Sequence, residues 1–171
     1  MDKVVALIGT NHLFQIGGNP RVISENSDFE LFLKLTCQRY KARILAEEMS
    51  LDALEMHGRK QSTVAAVAID LGISHVYCDP SQVEQKNLRL CVERNAHLLH
   101  DFHGWTQERI DKAITREHQK RERFWRKRIL DQNVWPVVFV CGSKHIKSFQ
   151  SLLHTNDMCV HLVAKNWGVG R

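Results

Sequence analysis

The stretch Val137-Val138-Phe139-Val140-Cys141-Gly142-Ser143-Lys144-His145 sets an apolar, mostly β-branched run directly before a glycine, two further residues and a histidine. A run of this kind, stopped by glycine, reads as a buried strand opening into a tight turn. The glycine permits a close backbone approach that a side chain would block. The same pattern stands near the other end, where Val4-Val5-Ala6-Leu7-Ile8 leads into Gly9-Thr10-Asn11-His12. Each histidine then falls just past the C-terminal end of a strand, where open α/β sheets gather their ligands. Two such motifs, far apart and alike in context, predict that His12 and His145 converge on one site, with Gly9 and Gly142 beside it.

Outward from these two runs, helix-length and strand-length segments alternate. After a Gly17-Gly18-Asn19-Pro20 loop, Ser27-Asp28-Phe29-Glu30 has the form of a capping box and predicts a helix to about Gln38. Residues 41–46 read as a second strand ending at Glu47-Glu48, and a short helix over 50–56 stops at Gly58. The unit opened by Ser62-Thr63 closes at Gly72, and residues 74–78 read as a third strand ending at Asp79-Pro80. Ser81-Gln82-Val83-Glu84 is a second capping box, introducing a helix expected to continue through Arg94-Asn95 to near His100. Thr106 caps a long basic helix that Asn133 and Pro136 end; a strand, a helix over 146–154 and a last strand over 158–164 follow. Strands separated by helices imply crossover connections. The fold class is therefore α/β, a single domain over 1–171 with a mostly parallel central sheet flanked by helices.

Composition agrees with that reading and narrows the function. A chain of 171 residues with 43% hydrophobic content can bury a substantial core without staples. Five cysteines, with no CxxC spacing, predict reduced thiols. Cys78, Cys141 and Cys159 lie in strand-like runs, where cysteine acts as a small buried hydrophobe. The opening residues carry neither a signal-peptide core nor a cleavage site, and no apolar stretch is long enough for a membrane span, which predicts a cytoplasmic protein with no membrane partner. The net charge is +5, and residues 105–130 alone hold nine Lys or Arg against four acids. One segment thus carries the chain's whole excess. Such a run reads first as a solvated helix face, with Trp125 and Phe124 marking its core side. No nucleic-acid motif accompanies it, and a nucleic-acid partner ranks last.

In a parallel sheet, His12, Glu47 or Glu48, Asp79 and His145 all follow strands and share one edge. Two imidazoles with one or two carboxylates suit a divalent transition metal that polarises a carbonyl or activates water. Asp79, followed by Pro80, reads as a turn residue rather than a ligand. His97 and His100 are spaced along one helix face and His103 follows its end, which reads as an exposed group rather than a primary site. Cys141 reads as packing.

These motifs resemble the TraB/Tiki-type superfamily, which includes erythromycin-esterase-like and ChaN-like proteins. The likeness rests on the paired G-x-x-H motifs, on Ile44-Leu45-Ala46-Glu47, and on Cys91-Val92-Glu93-Arg94-Asn95, which is similar to the family's Arg-Asn or Arg-Asp helix motif. The motifs occur in the family's order from Gly9 to His145. The resemblance implies an α/β fold with His12, Glu47 and His145 as metal ligands, Glu47, Arg94 and Asn95 as catalytic residues, and Gly9 and Gly142 lining the cofactor. Glu47 is favoured over Glu48 because it directly follows the apolar run. The expected function is metal-dependent hydrolysis of an ester, amide or phosphate bond in a small-molecule or peptide substrate. The alternative is a non-catalytic module of the same fold that holds haem, a metabolite or a peptide.

Overall fold

A computed structural model describes residues 2–17 and 23–168. Five strands, β1 Val4–Thr10, β2 Ile44–Glu47, β3 Ser74–Tyr77, β4 Val137–Gly142 and β5 Cys159–Trp167, form one sheet. Their order is β3-β2-β4-β1-β5, and every pairing is parallel. Between them run α1 His12–Gln15, α2 Ile23–Tyr40, α3 Leu51–Met56, α4 Thr63–Leu71, α5 Gln82–Leu88, α6 Ala96–Asp101, α7 Gln107–Gln132 and α8 Ile146–His154.

The central strands β1, β2 and β4 are buried on both faces, as a parallel sheet with helices on each side requires. Because side chains alternate along a strand, each central strand feeds two cores. Val5, Leu7, Ile44, Ala46, Val137, Phe139 and Cys141 meet Trp125 and Ile129 of α7 and Ile146, Phe149 and Leu153 of α8. Ala6, Ile8, Leu45, Val138 and Val140 meet Phe29 and Leu33 of α2 and Val64, Val67 and Ala68 of α4. Full burial of one such large side chain contributes about 1.5–3 kcal/mol, so these two layers hold the sheet edge in place.

The chain leaves β2 toward β3 on one side and leaves β4 toward β5 on the other, although β2 and β4 are neighbours. Connections diverging from adjacent strands open a crevice at their C-terminal ends. His12, Glu48 and His145 all sit at that crevice, just after β1, β2 and β4.

Several expected boundaries differ. Ser27 is not a cap, since α2 already begins at Ile23. The Gly18 to Pro20 part of the expected loop lies outside the described residues. The helix opened by Ser81 and Glu84 does carry a full capping box, but it ends at Leu88, with Arg89 in the left-handed conformation at φ 56°. Arg94 and Asn95 therefore lie in a turn before α6, not inside a continuous helix. The cause is tertiary: the buried Glu117 carboxylate of α7 accepts the backbone N–H groups of Cys91, Val92 (2.8 Å) and Glu93 (3.1 Å), which a helix would have bonded internally. Cys37, Cys78 and Cys141 are buried free thiols, whereas Cys159 is exposed because β5 forms an edge of the sheet. Among the described residues no helix is long and apolar enough to cross a membrane.

Candidate functional site

Glu48 is the centre of the site. Its backbone N–H extends the β2–β4 ladder by bonding the Val140 carbonyl at 2.8 Å. Glu47 therefore points into the α2/α4 layer with Leu45, and Glu48 into the α7/α8 layer with Ala46. Both glutamates are buried. Glu47 is held by Ser62 Oγ, by His75 Nε2 at 2.9 Å and by Gln15 Nε2 at 3.4 Å. Burial pushes its carboxyl above the ordinary glutamate value, against the pull of those three partners. The glutamate beside the two histidines is Glu48, not the favoured Glu47.

Glu48 Oε2 accepts the Gly142 N–H at 2.8 Å, and Oε1 accepts from the Arg121 guanidinium at 2.9 Å. His145 Nε2 lies 3.4 Å, and His12 Nε2 3.8 Å, from that same Oε1. Gly142 is required by this arrangement, since a Cβ there would stand 2.9 Å from His12 Nε2 and 3.3 Å from Glu48 Oε2. Gly9 has another role. A Cβ there would stand 2.2 Å from the Lys165 carbonyl oxygen and 2.6 Å from Ile146, so this glycine lets β5 and α8 close on β1.

The two imidazoles are oriented by buried acceptors. Gln15, the last residue of α1, directs its amide Nε2 at Glu47 and at the Val140 carbonyl. Its Oε1 is left to accept from His12 Nδ1 at 2.8 Å. Glu122 Oε1 accepts from His145 Nδ1 at 2.9 Å and from Ser148 Oγ at 2.7 Å. A neutral imidazole that donates from Nδ1 presents a bare lone pair at Nε2. His145 Nε2 is buried and has no hydrogen-bond partner. The ring is wedged edge-on between His118 and Trp125, with centroids at 4.4 and 4.9 Å.

Asp79 belongs to the site and is more than a turn residue. Its Oδ1 accepts from Arg121 Nε and from Trp125 Nε1, each at 2.9 Å. Burial raises its carboxyl above the ordinary value despite the Arg121 charge, and the neighbouring Glu48 raises it further. Burial opposes the charge on Arg121 as well, but Asp79 and Glu48 together outweigh it and hold the guanidinium above its ordinary value. Over this group, Glu93 bonds His118 at 3.3 Å and pairs with Lys144, contacts that hold its carboxyl well below the usual range. Burial, with Glu48 and Glu122 nearby, pushes the Cys141 thiol far up, so it stays a packing group.

His12, Glu48, Asp79 and Arg121 open into a cleft of about 360 Å³ whose other walls include Leu13, Ile16, Met49 and Ala53. Arg94 and Asn95 stand apart from the two histidines. Arg94 lines a second cavity, which Asp79 and Arg121 also line, and Asn95 a third beyond it. The arginine that touches Glu48 is Arg121. His97, His100 and His103 are exposed.

Sequence reasoning missed Arg121 and Glu122 because both lie in the basic helix, where charge reads as solvated surface. A signal was present. Glu117, Arg121, Glu122, Trp125 and Ile129 recur at helical spacing, which sets charged groups on the core-facing stripe. Gln15 had no signal. Among the described residues, no three His, Cys, Asp or Glu side chains stand ready-assembled as a metal cage. No protein-family model, curated protein or solved structure matches this chain.

Proposed function

We propose that this chain is a metal-assisted hydrolase of an ester, amide or phosphate bond, with His12, Glu48 and His145 as the residues that would hold a divalent ion. The observation that carries this reading is the orientation of the two imidazoles. Each has Nδ1 engaged by a buried acceptor, and each turns Nε2 toward one Glu48 oxygen. Metal-binding histidines are typically fixed by such outer acceptors, which set the tautomer and the ring plane. The unpartnered, buried Nε2 of His145 is a donor atom that ligation would satisfy.

Distances agree with that chemistry. Two atoms bound to one ion at about 2.0–2.1 Å in a tetrahedral shell lie about 3.4 Å apart. The separations from Glu48 Oε1, 3.4 Å to His145 and 3.8 Å to His12, are close to this. When bound, an ion would polarise a carbonyl or phosphoryl oxygen and acidify a water. The chain's own residues do the rest. Gln15 and Glu122 hold the imidazoles in register. Arg121, held in place by Asp79, offers a fixed cation beside the reacting group. The Leu13, Ile16, Met49 and Ala53 wall receives an apolar part of the substrate and keeps water from it.

Protein purified without chelator or metal-affinity resin should contain stoichiometric Mn, Fe, Co or Zn by elemental analysis. Removal of an outer acceptor alone typically costs 10–100-fold in metal affinity or activity. Glu48→Gln and His12→Ala, which remove proposed ligands, should lower metal content and turnover by about 100-fold or more. Metal-free protein whose turnover is indifferent to Glu48→Gln would end this reading. A visible absorption band on adding haem, with no turnover, would mark a binding module instead.

A further inference from the structure

Beyond Arg121 the cleft at His12 and Glu48 has a neighbour. Asp79 and Arg121 also line a second cavity, of about 240 Å³, where Glu93 and Glu117 join them, together with Gln85, Leu90, Cys91 and Arg94. Those last four residues in turn line a third, of about 470 Å³, between α5 and the turn that follows it. The three cavities thus lie in a row, each sharing lining residues with the next. The two ends of the row differ in chemistry. The His12 end has an apolar wall. The far end is lined by Lys86, Arg89 and Arg94, with Gln82, Gln85 and Asn95 between them and no acidic residue.

We propose that this far end binds an oxyanion, a phosphate or carboxylate group carried by the substrate whose scissile bond lies at His12 and Glu48. Three observations meet there. First, the three cations have no acidic partner among the described residues. By contrast Lys34, Lys112, Lys127, Arg128 and Lys144 are each paired with Asp or Glu. Three unneutralised cations around one concavity repel one another, and a bound anion removes that cost.

Second, Arg89 is held at φ 56° as the residue that closes α5. A side chain in the left-handed region carries a conformational cost that glycine avoids. Two other helices closed by a left-handed residue use Gly72 and Asn133, the residue types that adopt it most cheaply. Lys41 is the only other long side chain so placed among the described residues. Backbone strain retained at a cavity wall is a recurrent mark of a functional side chain.

Third, the wall is rigid. Glu117 clamps the consecutive N–H groups of Cys91, Val92 and Glu93, which fixes the turn that presents Arg89 and Arg94. Guanidinium groups read planar oxyanions through paired hydrogen bonds, and two of them with a lysine define a phosphate or carboxylate site. The substrate class implied for the hydrolase is therefore bipolar, with an apolar group at one side of the scissile bond and an anionic group at the other.

Calorimetric titration with inorganic phosphate and with succinate tests the pocket without turnover. Its outcome is therefore independent of whether the chain hydrolyses anything or binds a metal. Wild-type protein should bind one of the two ions. Preference for phosphate identifies a phosphorylated substrate, and preference for succinate a carboxylate. Lys86→Gln, Arg89→Gly and Arg94→Gln should each weaken binding at least about tenfold, the scale of one lost charge-assisted hydrogen bond. Arg89→Gly serves as its own folding control. It relieves the left-handed strain, so it should melt at or above the wild-type temperature while losing the anion. Absence of binding to both ions, or affinity unmoved by all three substitutions, would overturn the proposal.

Discussion

Glu47 and Glu48 are adjacent in sequence, both are buried, and they belong to different networks on opposite faces of the sheet. The period-two alternation that separates them was readable in the sequence. What was not readable was the phase, because the apolar run ends at Ala46 while the strand continues through Glu47. The distinction has a consequence for pH. Glu47 titrates above the ordinary value of 4.5 when folded, so over the window that opens at 4.5 the folded chain binds more protons than the unfolded one. Stability then falls as pH rises through that window. Asp79, raised from 3.8, acts in the same direction. Glu93 has the opposite sign. Its carboxyl is depressed, so its contribution is complete above 4.5 and is lost on acidification below it. Urea unfolding across a pH series should show both limbs. Glu47→Gln should flatten the decline above 4.5 and leave the acid limb in place; an unchanged upper limb would show that Glu47 is not its source.

At the scale of elements, two of the three expected caps were legible. Ser81 and Thr106 each cap a helix with a side-chain oxygen, as expected, and Ser50 and Ser62 do the same for α3 and α4. The break between α5 and α6 was hidden because its cause, Glu117, lies 24 to 26 residues further along the chain. A local pattern carries no information about a carboxylate delivered from another helix. The start of α2 was misplaced for a milder reason, since a capping-box sequence inside a helix is indistinguishable from one at its end. Glu117→Ala tests the tertiary cause directly. It leaves three backbone donors without their acceptor, at a cost of about 1–3 kcal/mol. Hydrogen exchange at Cys91, Val92 and Glu93 should accelerate while the β1 and β4 amides keep their protection. Equal acceleration throughout the sheet would mean that Glu117 supports the whole fold and not this turn.

At the scale of the molecule, the candidate site is where the layers meet: the ends of β1, β2 and β4 supply His12, Glu48 and His145, and α7 supplies Arg121 and Glu122. The doubled glycine–histidine motif made the first half of this visible, because position after a strand is set by local sequence. The second half was concealed by the charge excess of residues 105–130, since a count of charges does not say which of them are buried. Arg121 decides the matter. Its side chain is 19% exposed, against 1% for Glu48 and 9% for Asp79, so it neutralises two buried carboxylates across the interface between α7 and the strand ends. Arg121→Met keeps the length and removes the charge. Uncompensated buried charge of this kind costs about 3–5 kcal/mol, and the deficit should appear in urea unfolding at neutral pH. It should shrink as the pH falls and the Asp79 carboxyl, raised above its ordinary value, takes up a proton. Adding Asp79→Asn removes one of the stranded charges, so the double variant should be more stable than Arg121→Met alone. The two substitutions should then be coupled by about 1 kcal/mol or more, as residues in one network are. A loss within about 0.5 kcal/mol, the range of ordinary surface changes, would return Arg121 to the solvated face.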